Sequence, residues 1–452
     1  MKKHLTAITL CMCPMVVASQ HATISLPREY VWTEGQSSPR FEDENYSVAS
    51  LYVHDFDADG CDDVLVSFSD SLSVPRVVMG GRESRIGDLS LPPVRTIRHA
   101  VSRDVNGDGI LDFIAFTAPH GWMERELGSA WDSDEPDFVY FSGPDGSFFS
   151  LPRETYAHTG IVGDVNGDGI VDIWPIGELD SRFRRPYLFS QDPFSLRDGR
   201  NFRRFSSSVI SGSASADLNG DGLDDFVLTL GAQINQRVSN RDAEKLGAFS
   251  VAMGRAGVKI NDLDWKIYSA TWISDGDWSE YLTSLEGTDS KPYTAPSNIN
   301  LIDINGDGHL DILVGFYVLA GSWRSAGFQI WENQGNGEFL EKTDTYVPNQ
   351  DGHRNMQDTI TFIISAAMAD VNRDGYDDLV VASYDSDSWA GQGESISVYL
   401  NRQGTFQPQG QNSNLSRYSS LTVGDFNCNG KLDLVGLGAT TPTTISLGFF
   451  LQ

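Results

Sequence analysis

Basic residues, cysteines and long apolar runs are all scarce in this sequence of 452 residues. There are 33 lysines and arginines against 62 aspartates and glutamates, so the net charge is −29. This excess of acid excludes a free nucleic-acid-binding protein, because phosphate contacts need basic side chains. It also disfavours adhesion to anionic lipid. After the N-terminal segment no apolar run approaches the roughly 18 residues of a membrane-spanning helix, so we expect no membrane span.

Only four cysteines are present, and two of them, Cys11 and Cys13, lie in the N-terminal segment. The other two, Cys61 and Cys428, cannot build a disulfide-dense scaffold. The sequence leaves two states open for this pair, a single bridge or two free thiols. Zinc-ligand histidine spacing, Gly-x-Ser-x-Gly and phosphate-loop motifs are all missing. No motif therefore assigns a catalytic residue.

The N-terminal segment has the character of a secretory signal peptide. It begins with two lysines and continues with a mostly apolar stretch from Leu5 to Ala18. We expect cleavage just after Ala18 or Ser19, which gives a signal peptide at residues 1–19 and a single domain at 20–452. Such a protein is secreted, periplasmic or on the cell surface. Removal of the two lysines leaves 31 basic residues and a net charge of −31.

One carboxylate pattern, Asp-x-Asp/Asn-x-Asp/Asn-Gly-x-x-Asp, recurs seven times along the chain. Side chains at positions one, three, five and nine and the backbone carbonyl at position seven can converge on one ion. Glycine at position six permits the sharp bend. All these ligands are hard oxygens, which favour Ca²⁺, so the pattern predicts up to seven calcium ions. We number the copies as loops one to seven; they occupy residues 55–63, 104–112, 164–172, 217–225, 303–311, 370–378 and 425–433.

The predicted calcium ligands take the same five places in each loop. Loop seven has asparagines at positions three and five, so absent binding is an open alternative there. For the whole set the alternative is Asx-rich turns that bind nothing. The seven loops hold 24 of the 62 acidic residues, whose repulsion without a cation disfavours that alternative. The predicted ligands are Asp55, Asp57, Asp59, Cys61, Asp63, Asp104, Asn106, Asp108, Ile110, Asp112, Asp164, Asn166, Asp168, Ile170, Asp172, Asp217, Asn219, Asp221, Leu223, Asp225, Asp303, Asn305, Asp307, His309, Asp311, Asp370, Asn372, Asp374, Tyr376, Asp378, Asp425, Asn427, Asn429, Lys431 and Asp433.

The flanks of the loops favour strands. The helix-loop-helix calcium motif begins in the same way but needs a glutamate at position twelve, and none of the seven loops has one. Runs such as Val-Leu-Val-Ser-Phe after Asp63 are β-like instead. The first residues of successive loops are 49, 60, 53, 86, 67 and 55 residues apart. That is the range of one four-stranded propeller blade with insertions.

The seven loops, together with Gly-rich turns such as residues 331–339, resemble those of the FG-GAP and VCBS repeat proteins. The propeller of that family is similar to the head of integrin alpha chains. The resemblance covers residues 50–450 and implies an all-β, seven-bladed β-propeller. Each blade would carry a calcium loop between its first and second strands, on the face opposite the partner-binding face. The last blade lacks a fourth strand, and we expect residues 24–33 to supply it and close the ring.

Aromatic residues are concentrated in four segments that we expect on the face opposite the calcium loops. They suit stacking on sugars or anchoring a protein partner, although each one could instead cap a blade end. The candidate ligand-binding residues are His120, Trp122, Trp131, Trp272, Trp278, Trp323 and Trp389.

Three functional hypotheses follow from the sequence. The favoured one is a secreted calcium-binding module that recognises or adheres to a glycan or protein. The second is a polysaccharide lyase on the same scaffold, in which His99 and His158 would line the central channel. The third is a structural component of an envelope complex.

Overall fold

The structure is a computed structural model. It describes residues 22–25, 50–67, 75–81, 85–86, 89–92, 97–117, 137–143, 146–151, 157–177, 187–189, 196–198, 212–230, 248–269, 293–320, 323–348, 361–385, 395–408, 420–441 and 444–450. Strands dominate these residues. The exceptions include a 3₁₀ turn at Ile260–Asp262 and one short helix, α1 (Thr343–Tyr346). Within the described part of the chain no helix is long and apolar enough to cross a membrane.

The strands pair into seven antiparallel sheets of four strands each. The first strand of the chain, β1 (Ala22–Ser25), belongs to the last sheet. Sheet one contains β2 (Ser50–His54), β3 (Asp63–Ser67), β4 (Arg76–Met79) and β5 (Arg85–Ile86). Sheet two contains β6 (Ile97–Arg103), β7 (Asp112–Thr117), β8 (Phe138–Phe141) and β9 (Ser147–Ser150). Sheet three contains β10 (Ala157–Gly163), β11 (Asp172–Gly177), β12 (Tyr187–Phe189) and β13 (Leu196–Asp198).

The remaining sheets follow the same order. Sheet four contains β14 (Ser213–Ala216), β15 (Asp225–Leu230), β16 (Ala248–Ala252) and β17 (Trp265–Ser269). Sheet five contains β18 (Tyr293–Ile302), β19 (Asp311–Ala320), β20 (Trp323–Asn333) and β21 (Phe339–Glu341). Sheet six contains β22 (Thr361–Ala369), β23 (Asp378–Asp385), β24 (Ser395–Asn401) and β25 (Phe406–Pro408). Sheet seven contains β26 (Ser420–Gly424), β27 (Asp433–Thr441) and β28 (Thr444–Phe450), with β1 as its fourth strand.

The sheets are arranged as a β-propeller. The first strand of each sheet contacts the first strand of the next, from β2 through β6, β10, β14, β18 and β22 to β26, and β26 contacts β2. Apolar clusters lie between neighbouring sheets; one combines Leu65 and Val77 of sheet one with Phe113 and Tyr140 of sheet two. The second strands β3 and β7 are buried along their whole length. Burial on both faces explains why they read as continuous apolar runs. The prediction of an all-β propeller is confirmed.

The N-terminal strand begins two residues earlier in the sequence than we predicted. β1 pairs antiparallel with β28, with Ala22 opposite Phe449 and Ser25 opposite Ser446. It is four residues long, whereas the predicted strand ran from residue 24 to residue 33. Residues 26–33 lie outside the described residues. The sequence pattern showed that sheet seven needed a strand but did not fix its register.

Every acidic loop joins the first and second strands of its sheet, as the sequence predicted. Loop one, for example, begins directly after β2 and ends at Asp63, the first residue of β3. The ninth position of each loop begins the second strand, and position one follows the first strand directly. All seven loops therefore lie between the first two strands of a sheet.

Candidate metal centre

The aspartate at position one of each loop organises the backbone around it. Its Oδ2 accepts a hydrogen bond from the position-six glycine N–H in all seven loops, at 2.7–2.9 Å. Its Oδ1 accepts from the N–H of position four or five, as in Gly107 N to Asp104 Oδ1 at 2.6 Å. These bonds satisfy loop N–H groups that no strand pairs. The carboxylate thereby forms the loop locally, from residues within five positions of it.

Backbone conformation explains two fixed positions in the pattern. The glycine at position six has φ between 80° and 91° in all seven loops, the left-handed region that glycine adopts without strain. Position four is also left-handed, with φ between 57° and 79°. Four loops have glycine at position four, and the others have Ala58, Arg373 and Cys428. This second constraint was not predicted from the sequence, although the four glycines were a signal for it.

The aspartate at position nine ties its loop to the rest of its sheet in loops one, two, four, five and six. In loop one Asp63 Oδ2 accepts from Phe56 N at 2.8 Å, and Asp63 Oδ1 accepts from Gly80 N at 2.7 Å. Gly80 follows the third strand of the sheet, so the carboxylate bridges the loop and the next turn. The same pair of bonds is present at Asp112, Asp225 and Asp311.

Burial changes the acidity of these position-nine carboxyls. The pKa of Asp63 is raised to about 7, because burial outweighs its two backbone hydrogen bonds and Asp57 and Asp55 add repulsion. The pKa values of Asp112, Asp225, Asp311 and Asp378 are raised to about 6, again chiefly by burial. Burial without a counter-charge disfavours the ionised form. A nearby cation would have the opposite effect.

The carboxylates at positions one, three and nine converge in loop one. Asp55, Asp57 and Asp63 each have an oxygen within 4.8 Å of the others. Among the described residues this is the one cluster of three acidic, histidine or cysteine side chains at that distance. The other six loops carry asparagine at position three. Asp59 lies outside this cluster. Its Oδ1 accepts a hydrogen bond from Cys61 N at 2.9 Å. In all seven loops the residue at position five accepts the same bond from the N–H of position seven.

Loops six and seven contain buried oxygen atoms that accept no hydrogen bond from the described residues. They are Asn372 Oδ1 and Asp378 Oδ2 in loop six and Asn427 Oδ1 in loop seven. They belong to positions three and nine, which the sequence assigned as ligands. A buried acceptor without a donor is costly, so such atoms call for a partner. A hard cation is a fitting partner, because every donor in the set is an oxygen.

Comparison with known proteins agrees with this architecture. A sequence model of the FG-GAP-like repeat matches residues 370–436, which contain loop six, the three later strands of sheet six, β26 and loop seven. The chain therefore contains an FG-GAP-like repeat and is folded as a β-propeller. Comparison with curated proteins finds no match.

Two similar solved structures are crystal structures of BBS1N in complex with ARL6DN, one soaked with lead and the other with mercury. The first is 9% identical with a TM-score of 0.43, and the second is 10% identical with a TM-score of 0.41. Each comparison covers 90% of this chain and 94% of the other. At these values the likeness carries no argument about function.

A disulfide joins two of the repeat loops. Cys61, at position seven of loop one, is bonded to Cys428, at position four of loop seven, with 5.0 Å between their Cα atoms. Backbone bonds run beside it, from Asp62 N to Asp425 O at 3.2 Å and from Gly81 N to Phe426 O at 2.7 Å. Of the two states that the sequence left open, the structure has the bridge.

The candidate ligand-binding aromatics are almost all outside the described residues. His120, Trp122, Trp131, Trp272, Trp278 and Trp389 lie in undescribed segments, and Trp323 is described only as the first backbone position of β20.

The two histidines of the lyase hypothesis lie on first strands, His99 on β6 and His158 on β10. The His99 ring stacks on Phe116, with 5.7 Å between ring centroids and 19° between planes. Burial lowers the pKa of His99 to about 4, so it is neutral at pH 7. His99 therefore has the surroundings of a packed histidine.

Proposed function

We propose that the protein is a secreted calcium-binding module, a closed ring of seven blades that recognises a glycan or protein through the face opposite the acidic loops. The seven four-stranded sheets support the blade count. Contact between β26 and β2 and the pairing of β1 with β28 support closure. Closure protects sheet edges that would otherwise stay exposed.

The observation that carries the calcium assignment is the set of buried oxygen atoms in loops six and seven that accept no hydrogen bond from any described residue. In loop six the ion would be held by the side chains of Asp370, Asn372, Asp374 and Asp378 and the backbone carbonyl of Tyr376. Calcium accepts six to eight oxygen ligands in flexible geometry, which suits this mixture of carboxylate, amide and carbonyl. It would neutralise carboxylates that otherwise repel one another in each loop.

Calcium in this proposal has a structural role, and recognition belongs to the opposite face. A structural role is supported by the position-nine aspartates, which tie loops one, two, four, five and six to their own sheets. The case for a glycan or protein partner is the concentration of tryptophans in the segments around Trp122, Trp278 and Trp389. Aromatic rings suit both sugar stacking and protein anchoring.

Two measurements test the proposal. Native mass spectrometry of the mature protein should show up to seven calcium ions, and retention of none would contradict the calcium assignment. A glycan array and a protein-capture assay, each with and without chelator, should then show calcium-dependent binding that Trp122→Ala or Trp278→Ala weakens. Appearance of unsaturated sugar products by ultraviolet absorbance would instead identify a lyase.

A further inference from the structure

Two aspartates reach from their own loop into the preceding loop. Asp224, at position eight of loop four, accepts a hydrogen bond at Oδ2 from Asp164 N, at 2.9 Å. Asp62, at position eight of loop one, accepts one at Oδ2 from Asp425 N, at 2.7 Å. Asp164 and Asp425 are the first residues of loops three and seven. We call each contact a clasp, because it joins position eight of one loop to position one of the loop before it.

A glycine makes room for each clasp. A Cβ atom added at Gly163, directly before Asp164, would lie 3.0 Å from Asp224 Oδ2. One added at Gly424, directly before Asp425, would lie 2.8 Å from Asp62 Oδ2. These are closer than Cβ contacts normally are, so a larger side chain would displace the carboxylate. The five other loops have His54, Arg103, Ala216, Ile302 and Ala369 at the corresponding position.

Loop six provides an internal comparison. Asp377 is the third aspartate at position eight, but the preceding loop has Ile302 where a clasp needs glycine. Among the described residues no hydrogen bond joins the Asp377 carboxylate to Asp303, the first residue of loop five. Aspartate at position eight therefore forms a clasp in the two cases where glycine precedes the neighbouring loop, and not in the third.

Arg103 extends the clasp of Asp224 to a third loop. Its Nη2 donates to Asp224 Oδ1 at 2.7 Å, and its Nη1 donates to Val162 O at 3.5 Å. The Asp224 side chain is 10% exposed and that of Arg103 is 30% exposed, so solvent screens the ion pair only in part. Arg103 directly precedes loop two. The Asp224 carboxylate thus contacts residues at loops two, three and four.

We propose that Asp224 and Asp62 are positioning residues that couple cation binding between neighbouring loops, three with four and seven with one. This inference rests on the proposed function. Asp224 adjoins Asp225, the position-nine ligand of loop four, so an ion that orders Asp225 also fixes Asp224. The fixed carboxylate in turn holds the backbone of Asp164, the first ligand of loop three. Linkage makes the effect reciprocal, so an ion in loop three favours one in loop four.

A double-mutant cycle read by calcium titration in native mass spectrometry tests the coupling. Asp217→Ala removes the first ligand of loop four; it should abolish one ion and weaken a second by about tenfold, the usual scale for loss of a supporting interaction. Asp224→Leu alone should also weaken one ion about tenfold. In the Asp224→Leu background, Asp217→Ala should abolish its ion and weaken no other. A purely structural Asp224 would give additive effects.

Two further variants separate the clasp from charge and from folding. Asp377→Leu removes the same charge at the same loop position without a clasp, and should leave the calcium affinity of the preceding loop, loop five, unchanged. Gly163→Ala keeps the charge but crowds Asp224 Oδ2, and should weaken the same ion as Asp224→Leu. The inference would be overturned if Asp224→Leu and Asp377→Leu weakened calcium binding in the preceding loop equally, or if the two ions stayed coupled in Asp224→Leu. Either outcome would leave the calcium assignment itself intact. A wild-type protein that binds no calcium would remove the proposed function and this inference with it.

Discussion

The same aspartate–glycine clasp is present at two junctions, between sheets three and four and between sheets seven and one. Arg103 accompanies it at the first junction, whereas the Cys61–Cys428 disulfide accompanies it at the second. The clasped residues are 60 positions apart in one case and 363 in the other. Loop-closure entropy grows with the logarithm of separation, which makes the second contact costlier by roughly 1.5 kcal/mol. A covalent bond therefore offsets a larger entropic cost at the junction that joins the two ends of the chain.

Removal of calcium should produce the largest change, because it acts at both junctions and in every filled loop. An ion that binds only the folded state at a hundred times its dissociation constant contributes about 2.7 kcal/mol. Several filled loops together should raise the melting temperature steeply with free calcium, as scanning calorimetry can measure. Magnesium at the same concentration is the control. A melting temperature that chelator leaves unchanged would contradict calcium binding.

Loss of the disulfide should affect the junction of sheets seven and one alone. Cys428→Ser changes the exposed partner of the bridge and leaves Cys61 in place. We expect the free energy of unfolding in urea to fall by about 4 kcal/mol, since the bridge closes a very long loop.

Two matched measurements accompany that variant. Asp224→Leu affects the other junction and should leave the thiol count unchanged. Thiol titration of the unreduced, denatured wild-type protein should find no free thiol from Cys61 or Cys428. Two free thiols per mature chain would disprove the bridge.

A loop outside both clasps should lose its ion independently. Asp307→Ala in loop five removes a carboxylate from a loop that no clasp reaches. We expect the loss of one ion and about 2.7 kcal/mol at saturating calcium, with the other ions unaffected. Ion counting by native mass spectrometry measures this. Simultaneous loss of several ions would show that coupling extends beyond the clasped loops.

Replacement of each clasp glycine by alanine should give the smallest losses of stability, and the loss should differ between the two junctions. At Gly424 the added Cβ would meet Asp62 Oδ2 at 2.8 Å, Phe426 Cζ at 2.9 Å and Val53 Cγ1 at 3.0 Å. Overpacking of this kind costs about 1–3 kcal/mol. At Gly163 the nearest atom, Asp224 Oδ2, is 3.0 Å away and the next two are at 3.3 and 3.4 Å, so the loss should be smaller. Equal unfolding midpoints for Gly163→Ala and Gly424→Ala would contradict this order.

The acidic loops could be predicted from sequence because their geometry is local. In each of them the position-one carboxylate bonds backbone N–H groups within five residues, and glycine at position six supplies the left-handed turn. The second strands were equally visible, since burial between two sheets imposes an unbroken apolar run such as that of β3. β1 begins two residues before the predicted strand, because a short strand added to an edge carries little pattern of its own.

The sequence by itself determined the repeat, the strand–loop–strand unit and the identity of the candidate ligands, since each depends on residues a few positions apart. Only the tertiary structure decided which cysteine state occurs and which position-eight aspartates form clasps. Asp62, Asp224 and Asp377 are alike within their own loops, and the residue that distinguishes them, Gly424, Gly163 or Ile302, stands in the neighbouring sheet. The order of sheets around the propeller brings those residues together, because packing between sheets acts across the whole length of the chain.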